Sequence, residues 1–600
     1  MTARITFRLP ETRLAAEPNR MDVVCMVGFL EERRGAEWLR RTARAAADGW
    51  AERIAAQGGS LYDLPLRLQS LDEAEALFDL AGRIDRVAEV QGRGLDALVV
   101  VPPSDRHAGI ALDAATQVVE LPVGTIARED LRDHLAAAFA EVEVTLGPAD
   151  AQDRRPLRFV RRTQVAGTLT VHAAPVLGLP VAATARTRRV GAPLGAALRA
   201  FFRQGGREAV VIALGPPVPL FADETSRVAA LGRLVGGGYG AGATTLADLA
   251  ALDPPALPGP FPSRDPWQGL AHLHGLDDVT LILVPDLADL VATRPASLAT
   301  AAPAIRPPAV FTACSAAAPS TFDGMATPGA PARADAAGVA LWCRLVGWAV
   351  REAARITPEV MVLAAPPLPA DEGPLGEDLP AWLDAIDSGD TPGQLQVAAP
   401  WVVGPDAFDL PGRAMPADAA LAGLIAAQTL ARGAWRSVAG LPVLGVGDLL
   451  GCGPADTALS DGRITALVRR AGRIEVGADR TVDREAFAQA HVRRLFASIL
   501  RAARHRGEHA VFDANGPALW RDVAMSLTTI LRRLHGADAL QGASEAEAFE
   551  VRCGPDTMRQ ADIDAGRAIA QVRLLPAASL EAIEIGFDVR SGQISAVVAP

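Results

Sequence analysis

Residues 275–291 read GLDDVTLILVPDLADLV. Val279 to Val284 is an apolar run of strand length, too greasy for a sheet with one wet face, and Pro285-Asp286 punctuates it before a second apolar stretch. The same texture recurs in DVVCMVGFL from Asp22 to Leu30, in the strand from Ala209 to Leu214, and in EVMVLAAPP from Glu359. Helix-like segments precede several of these runs: PLGAALRAFFRQGG from Pro193, and ALWCRLVGWAVREA from Ala340 with Leu341, Leu345, Trp348 and Ala349 on one face. Helices alternating with strands buried on both faces predict an α/β (α+β) fold whose core strands run parallel.

The chain has 600 residues, enough for several domains. Half are apolar and 22% are charged, an ordinary globular composition. All 59 basic residues are arginine, and 70 acids leave a net charge of −11, which argues against nucleic-acid binding. No apolar run follows the first basic residues, and none approaches the roughly 18 residues that span a bilayer, so a soluble protein made in the cytoplasm is expected. Cys25, Cys314, Cys343, Cys452 and Cys553 are scattered without CxxC or Cys/His spacing. They read as small buried hydrophobes, with neither a disulfide framework nor a zinc site.

Composition shifts divide the chain. Residues 1–20 form a short strand-bearing arm, in which Ile5, Phe7 and Leu9 alternate with charged or polar residues. A first α/β domain takes 21–94 and 190–300, with a helix holding Trp38 and Trp50 and another capped by Ser70. Between its halves, 95–189 breaks into short apolar runs separated by turn residues and reads as an inserted β-rich domain. A middle α/β domain with Pro-rich connectors covers 301–470.

The block 471–580 holds two helices and a strand pair. Asp483 is expected to cap the helix carrying Phe487, Val492, Leu495 and Phe496. Asn515-Gly516-Pro517 starts the second helix, whose apolar face is Trp520, Val523, Leu527, Ile530, Leu531 and Leu534. The arm 581–600 ends the chain: Ile583, Ile585, Phe587 and Val589 alternate with Glu584, Gly586 and Asp588, and Arg590–Pro600 extends beyond. Nothing sheet-like is read after this strand, so it needs a partner, in its own subunit or a neighbour.

Motifs that could carry chemistry are few and weak. Gly238 to Ala243 meets only the loose GxGxxA form of a dinucleotide loop, and the segment before it looks helical. Asp286 and Asp289 stand where α/β enzymes place acids, without an assignable His, Ser or Cys partner. His272 and His274 sit two apart in a helical segment, facing away from each other.

Several segments, in order, resemble the contractile tail sheath proteins, most of all the sheath subunits of extracellular contractile injection systems. They are DVVCMVGFL; LYDLPLRLQSLDEAEALF; LGAALRAFFRQGGREAVVI; GLDDVTLILVPDLADLV; LAGLIAAQTLARGAWRSVAG; Gly477-ADRTV; His491-VRRLF; VFDANGPALW; and the closing ALQGASEAEAFEVRCGPDTM with ADIDAGRAIAQVRLLP. The resemblance implies a subunit without catalytic activity, cofactor or metal, stacked in six-membered rings around an inner tube and contracting to drive that tube into a target membrane. Its partners would be neighbouring sheath subunits, the inner tube protein, and baseplate and cap proteins, without nucleic acid or direct membrane insertion. Assembly would take place in the bacterial cytoplasm, in a phage tail-like particle released from the cell.

Under the resemblance, the strands of Ile5, Phe7, Leu9, Ile583, Ile585, Phe587 and Val589 become intersubunit linking arms. Arg521, Arg532 and Arg533 become candidate tube-facing residues, and the insertion 95–189 projects outward. The alternatives are a baseplate- or cap-proximal adaptor of the same apparatus, and an α/β enzyme using Asp286.

Overall fold

A computed structural model describes residues 20–33, 53–54, 59–81, 84–86, 89–112, 115–139, 142–147, 149, 152–161, 168–172, 175–177, 183–186, 188–189, 191–218, 224–261, 263–294, 330–372, 374–389, 391–451, 462–510, 514–577, 583–590 and 593–599. The expected helix of Trp38 and Trp50, the strand of Ile5, Phe7 and Leu9, and Cys314 and Cys452 lie outside them. Cys25 and Cys343 are buried, as the sequence predicts, while Cys553 is half-buried.

The core is one eight-stranded sheet. Its strands are β1 (Val24–Gly28), β2 (Pro65–Leu68), β3 (Ala209–Ala213), β4 (Leu281–Leu283), β5 (Met361–Ala364), β6 (Leu395–Ala399), β7 (Thr465–Arg470) and β8 (Arg473–Val476), in the spatial order β8-β7-β6-β5-β4-β1-β3-β2. The six inner strands are mutually parallel, and β2 and β8 close the edges antiparallel. Every residue of β1, β3, β4 and β5 is buried, which is why these strands read as unbroken apolar runs.

The pairing of β4 with β5 corrects the expected division at residue 300. Segments from 24–80, 192–292 and 332–476 share one sheet and one hydrophobic core, whereas 89–95 already belongs to the insertion. A buried run shows that a strand has both faces covered, but not which sheet it joins.

Helices α1 (Pro193–Arg203), α3 (Ala336–Ile356) and α4 (Asp418–Arg432) pack on this sheet, with α1 lying along α4, and α2 (Glu224–Val235) joins the same core through neighbouring helical segments. The approach of α1 to α4 is close because Gly423 faces the α1 backbone; a Cβ there would sit 2.4 Å from the Phe201 carbonyl oxygen. Leu341, Leu345, Trp348 and Ala349 of α3 are buried as their spacing requires, and Ser70 accepts the Glu73 N–H at 3.2 Å as an N-cap.

The insertion is a separate unit. The chain leaves the core at Ile84–Arg86 and returns at Arg188–Arg189, and these two segments pair antiparallel. Between them stand a three-stranded sheet, a four-stranded sheet, a two-stranded pair and the helix Arg128–Ala138, closed around a core that includes Val99, Leu131, Leu135, Phe139, Phe159 and Val171.

The C-terminal module begins with α5 (Ala490–Ala510) and α6 (Pro517–Gly536) and ends in the sheet β9 (Phe549–Cys553), β10 (Ala568–Leu574), β11 (Ile583–Arg590) and β12 (Gln593–Ala599). Asp483 does not cap α5, which starts seven residues later. Its carboxylate accepts the Phe487 N–H at 2.9 Å and so closes the turn that precedes the helix.

Arginines on α5 join this module to the core. Arg501 donates to the carbonyls of Arg20 at 2.6 Å, Asp278 at 2.9 Å and Val279. Arg504 donates to Asp277 O at 3.0 Å and pairs with the fully buried Glu359, and Arg493 donates to Pro358 O at 2.7 Å. All five carbonyls lie just before β1, β4 or β5, so α5 is pinned to the amino ends of three parallel strands. Arg494 forms a bidentate pair with Asp479 at 2.7 and 3.2 Å, both side chains almost wholly buried. Burial opposes ionisation of Asp479, but Arg494 outweighs it and holds the carboxyl below the usual range. Gln396 of β6 and the Val438 N–H complete the shell at 3.0 and 3.2 Å.

Asp418, buried in the first turn of α4, has no such ion pair among the described residues. Burial pushes Asp418 up to about 7, although its carboxylate accepts the Ala419 N–H at 2.8 Å.

Arg494→Ala strands the Asp479 carboxylate and lowers stability by about 3–5 kcal/mol in denaturant titration. Arg532→Ala, whose partner Glu545 stands in solvent, leaves the midpoint unmoved. Because the folded pKa of Asp418 is raised, its contribution is fully present below the ordinary carboxylate pKa and is lost as pH rises through about 7. Asp418→Asn therefore raises the thermal midpoint at pH 8, by a stability gain on the order of 2–4 kcal/mol, with no gain at pH 3.5.

Candidate subunit interface

Two features of the C-terminal module face outward: one side of α6 and the edges of the sheet. The helix forms as its sequence dictates, with Gly516 as N-cap and Pro517 at the first position, where a missing N–H costs nothing. Asn515 fixes its entry. The Asn515 carbonyl accepts the Trp520 indole N–H at 2.8 Å, and its amide donates to Ile563 O and Arg567 O at 3.3 and 3.1 Å. Leu527, Leu531 and Leu534 then pack on Phe549, Ala570, Val572 and Leu574 of the sheet.

The opposite side carries the predicted arginines. Arg521, Arg532 and Arg533 are all exposed, on a stripe that also presents Met525, 61% exposed. Arg521 and Arg532 are eleven residues apart, close to three turns, so they stand on one line along the helix. Arg521 donates back to Pro517 O at 3.2 Å, and Arg532 pairs with Glu545 at 2.7 Å. The three therefore share one broad exposed face with the acidic Asp522, and part of their charge is already engaged locally.

The edges require a correction. Ile583–Arg590 is not the last strand, because Gln593–Ala599 follows and pairs with it from Arg590↔Gln593 to Glu584↔Ala599. On its other side β11 pairs with β10, placing Ile585 opposite Val572 and Phe587 opposite Ala570. The strand of Ile583, Ile585, Phe587 and Val589 is thus an inner strand of its own sheet. The signal was present: Ser591-Gly592 is a two-residue turn dipeptide between two strand-like runs. Among the described residues of this sheet, the strands paired on one side only are β9 and β12.

The positions read for catalysis are structural in form. Asp286 is buried and accepts the Phe29 N–H at 3.2 Å, tying the end of β1 to the end of β4, and a Cβ on Gly28 would fall 2.0 Å from its carboxylate oxygen. Burial pushes its carboxyl well above the usual range. Asp286 occupies the cap position of the short helix Leu287–Leu290 without a side-chain cap bond. The nearby cavity, lined by Val284, Pro285, Trp342, Ala364 and Asp418, measures about 20 Å³, room for a single water.

The glycine loop follows helix α2, not a strand, and is a series of positive-φ turns at Gly236, Gly237, Gly238, Gly240 and Gly242. His272 and His274 lie in a 3₁₀ segment, not an α-helix. His272 Nε2 is 3.2 Å from Asp63, and His274 Nε2 is 2.9 Å from Pro258 O. Among the described residues, no three His, Cys, Asp or Glu side chains converge as a metal site, and no helix is long and apolar enough to cross a membrane.

No family model matches the sequence, and no curated protein matches it. Solved structures do align with the chain. A chain of the anti-feeding prophage baseplate in its contracted state aligns over 65% of this chain and 83% of that one, at 22% identity and a TM-score of 0.44. The sheath complex of PVC, an extracellular contractile injection system, in its contracted state aligns over 64% and 77%, at 18% identity and a TM-score of 0.38. The sheath tail protein of Desulfitobacterium hafniense aligns over 98% and 100%, at 10% identity and a TM-score of 0.38.

Proposed function

We propose that this chain is a structural subunit of a contractile sheath, polymerising as stacked six-membered rings around an inner tube and contracting to drive that tube into a target membrane. The observation that carries the reading is where the quoted sequence segments fall. They form β1, α1, β3, β4, α4, α5, α6 and the closing sheet, in order, while the unrelated texture of 95–189 is confined to an insertion with its own core.

The sheet of the C-terminal module supplies the means of linking subunits. Two strands, β9 and β12, each have an outer edge that no described strand covers. A neighbour's terminal strand can add to such an edge through backbone hydrogen bonds, which tolerate rotation of the linked bodies better than a side-chain mosaic does. The segment of Ile5, Phe7 and Leu9 has the alternation such an added strand needs. The strand of Ile583–Val589 then serves as the inner strand on which the receiving sheet is built, with β12 as its outer rail.

The exposed face of Arg521, Arg532 and Arg533 is the surface offered to an acidic inner tube, and the insertion projects away from it. Baseplate and cap proteins would meet the ends of the stack. In this reading the subunit is not an enzyme, assembles in the bacterial cytoplasm and leaves the cell as part of a phage tail-like particle.

Electron microscopy of the expressed particle with this subunit labelled tests the assignment. Label along the length of a tube supports the sheath reading; label confined to one ring at an end assigns the chain to the baseplate- or cap-proximal position instead. A variant lacking residues 1–19, which keeps Arg20 and its bond to Arg501, is expected to remain a folded monomer that forms no tubes. Tubes formed by that variant would remove the N-terminal segment from the linkage. Reversing Arg521, Arg532 and Arg533 together to Glu is expected to abolish tube-dependent assembly while leaving the circular dichroism spectrum of the monomer unchanged.

A further inference from the structure

A cavity of about 170 Å³ lies where the core meets the C-terminal module. Its walls include Trp435, Arg436 and Ser437, from the segment after α4, and His491 in the first turn of α5. Asp538 and Pro576, from the segments before β9 and after β10, complete it. At roughly 30 Å³ per molecule it holds about five waters, ample for a small solute.

Its polar groups are incompletely used. Among the described residues, the Trp435 indole N–H and His491 Nδ1 are buried atoms without a hydrogen-bond partner. Asp479 Oδ2 is 3.9 Å from His491 Nδ1, beyond hydrogen-bonding range, and is already held by Arg494. The Ser437 hydroxyl oxygen accepts the Ala439 N–H at 3.1 Å, so its own hydrogen remains to be donated. Arg436 stands 3.8 Å from the exposed Asp538, too far for a hydrogen bond, with much of its guanidinium facing solvent.

An indole N–H can only donate, as can a guanidinium, and a neutral imidazole donates from one ring nitrogen. Groups that together offer donors from Trp435, Ser437, Arg436 and His491 call for a ligand rich in acceptors. The one carboxylate on the wall, Asp538, is exposed enough to turn to solvent. The other acid nearby, Asp479, has its charge met by Arg494. Buried donors of this kind are costly when left empty-handed, which gives a ligand that satisfies them a binding advantage.

We propose that this cavity binds one small oxyanion, inorganic phosphate or a short carboxylate, held by the Trp435 indole, the Arg436 guanidinium, the Ser437 hydroxyl and His491. The site spans the joint between the core and the C-terminal module, so an anion seated there bridges the two bodies. It does not depend on the assembly reading, since all its walls come from one chain.

Isothermal titration of the full-length protein with sodium phosphate, and separately with sodium acetate, tests it at an ionic strength held constant by sodium chloride. The expected result is saturable one-site binding of at least one of them. The tighter of the two identifies phosphate or carboxylate as the preferred chemistry. Trp435→Phe, which keeps a packed ring but deletes the donor, is expected to weaken binding about tenfold, as is Arg436→Gln, each having lost one hydrogen bond to a charged acceptor. Absence of saturable heat with both anions in the parent protein overturns the proposal, and so does binding that Trp435→Phe leaves unchanged.

Discussion

The guanidinium groups of α5 decide whether this chain is one body or two. A helix carrying Arg493, Arg494, Arg501 and Arg504 on neighbouring lines lies against the amino ends of β1, β4 and β5, where the parallel arrangement leaves backbone carbonyls to be satisfied. Water would serve those carbonyls equally well if the junction were open. Because it is closed, each guanidinium replaces several waters with fixed, forked donors, and withdrawing the helix would expose both sets of groups together. The C-terminal module is thereby bound to the short segments that lead directly into three of the core strands. A load applied to its sheet passes through α5 into the middle of the eight-stranded core.

What the sequence discloses follows from the same physics. β1, β4 and β5 are legible because burial on both faces writes itself as an uninterrupted apolar run. The α6 face of Leu527, Leu531 and Leu534 is legible because one-sided burial imposes helical spacing. The arginines of α5 are not: HVRRLFASILRAAR has the look of a solvated charged side, and only the fold shows that Arg501 is 1% exposed. Asp479 was visible within a turn motif, but its partner sits fifteen residues away across a tertiary contact that no spacing predicts. The final strand was missed for a different reason. QISAVVA is too uniformly small and apolar to show a clear wet face, so the turn dipeptide before it carried most of the signal.

The candidate chemistry shows how an enzyme-like position can serve structure. Asp286 stands just beyond a parallel strand, where catalytic acids are common, yet it spends its carboxylate on the Phe29 N–H, and Gly28 is pressed against it. The acid closes the seam between two strands whose next residues turn apart. A buried carboxyl with a raised proton affinity needs only one donor to be tolerated, and here it is given about that much.

The insertion enters and leaves through Ile84–Arg86 and Arg188–Arg189, two short segments lying side by side. A unit hung on so narrow a stalk asks nothing of its host except that the two ends stay together. Its residues are free to drift, lengthen or be exchanged wholesale without retuning the core, because among the described residues its hydrophobic cluster is separate from that of the body. Selection on the insertion and selection on the body that carries it can thus proceed along one gene as if along two.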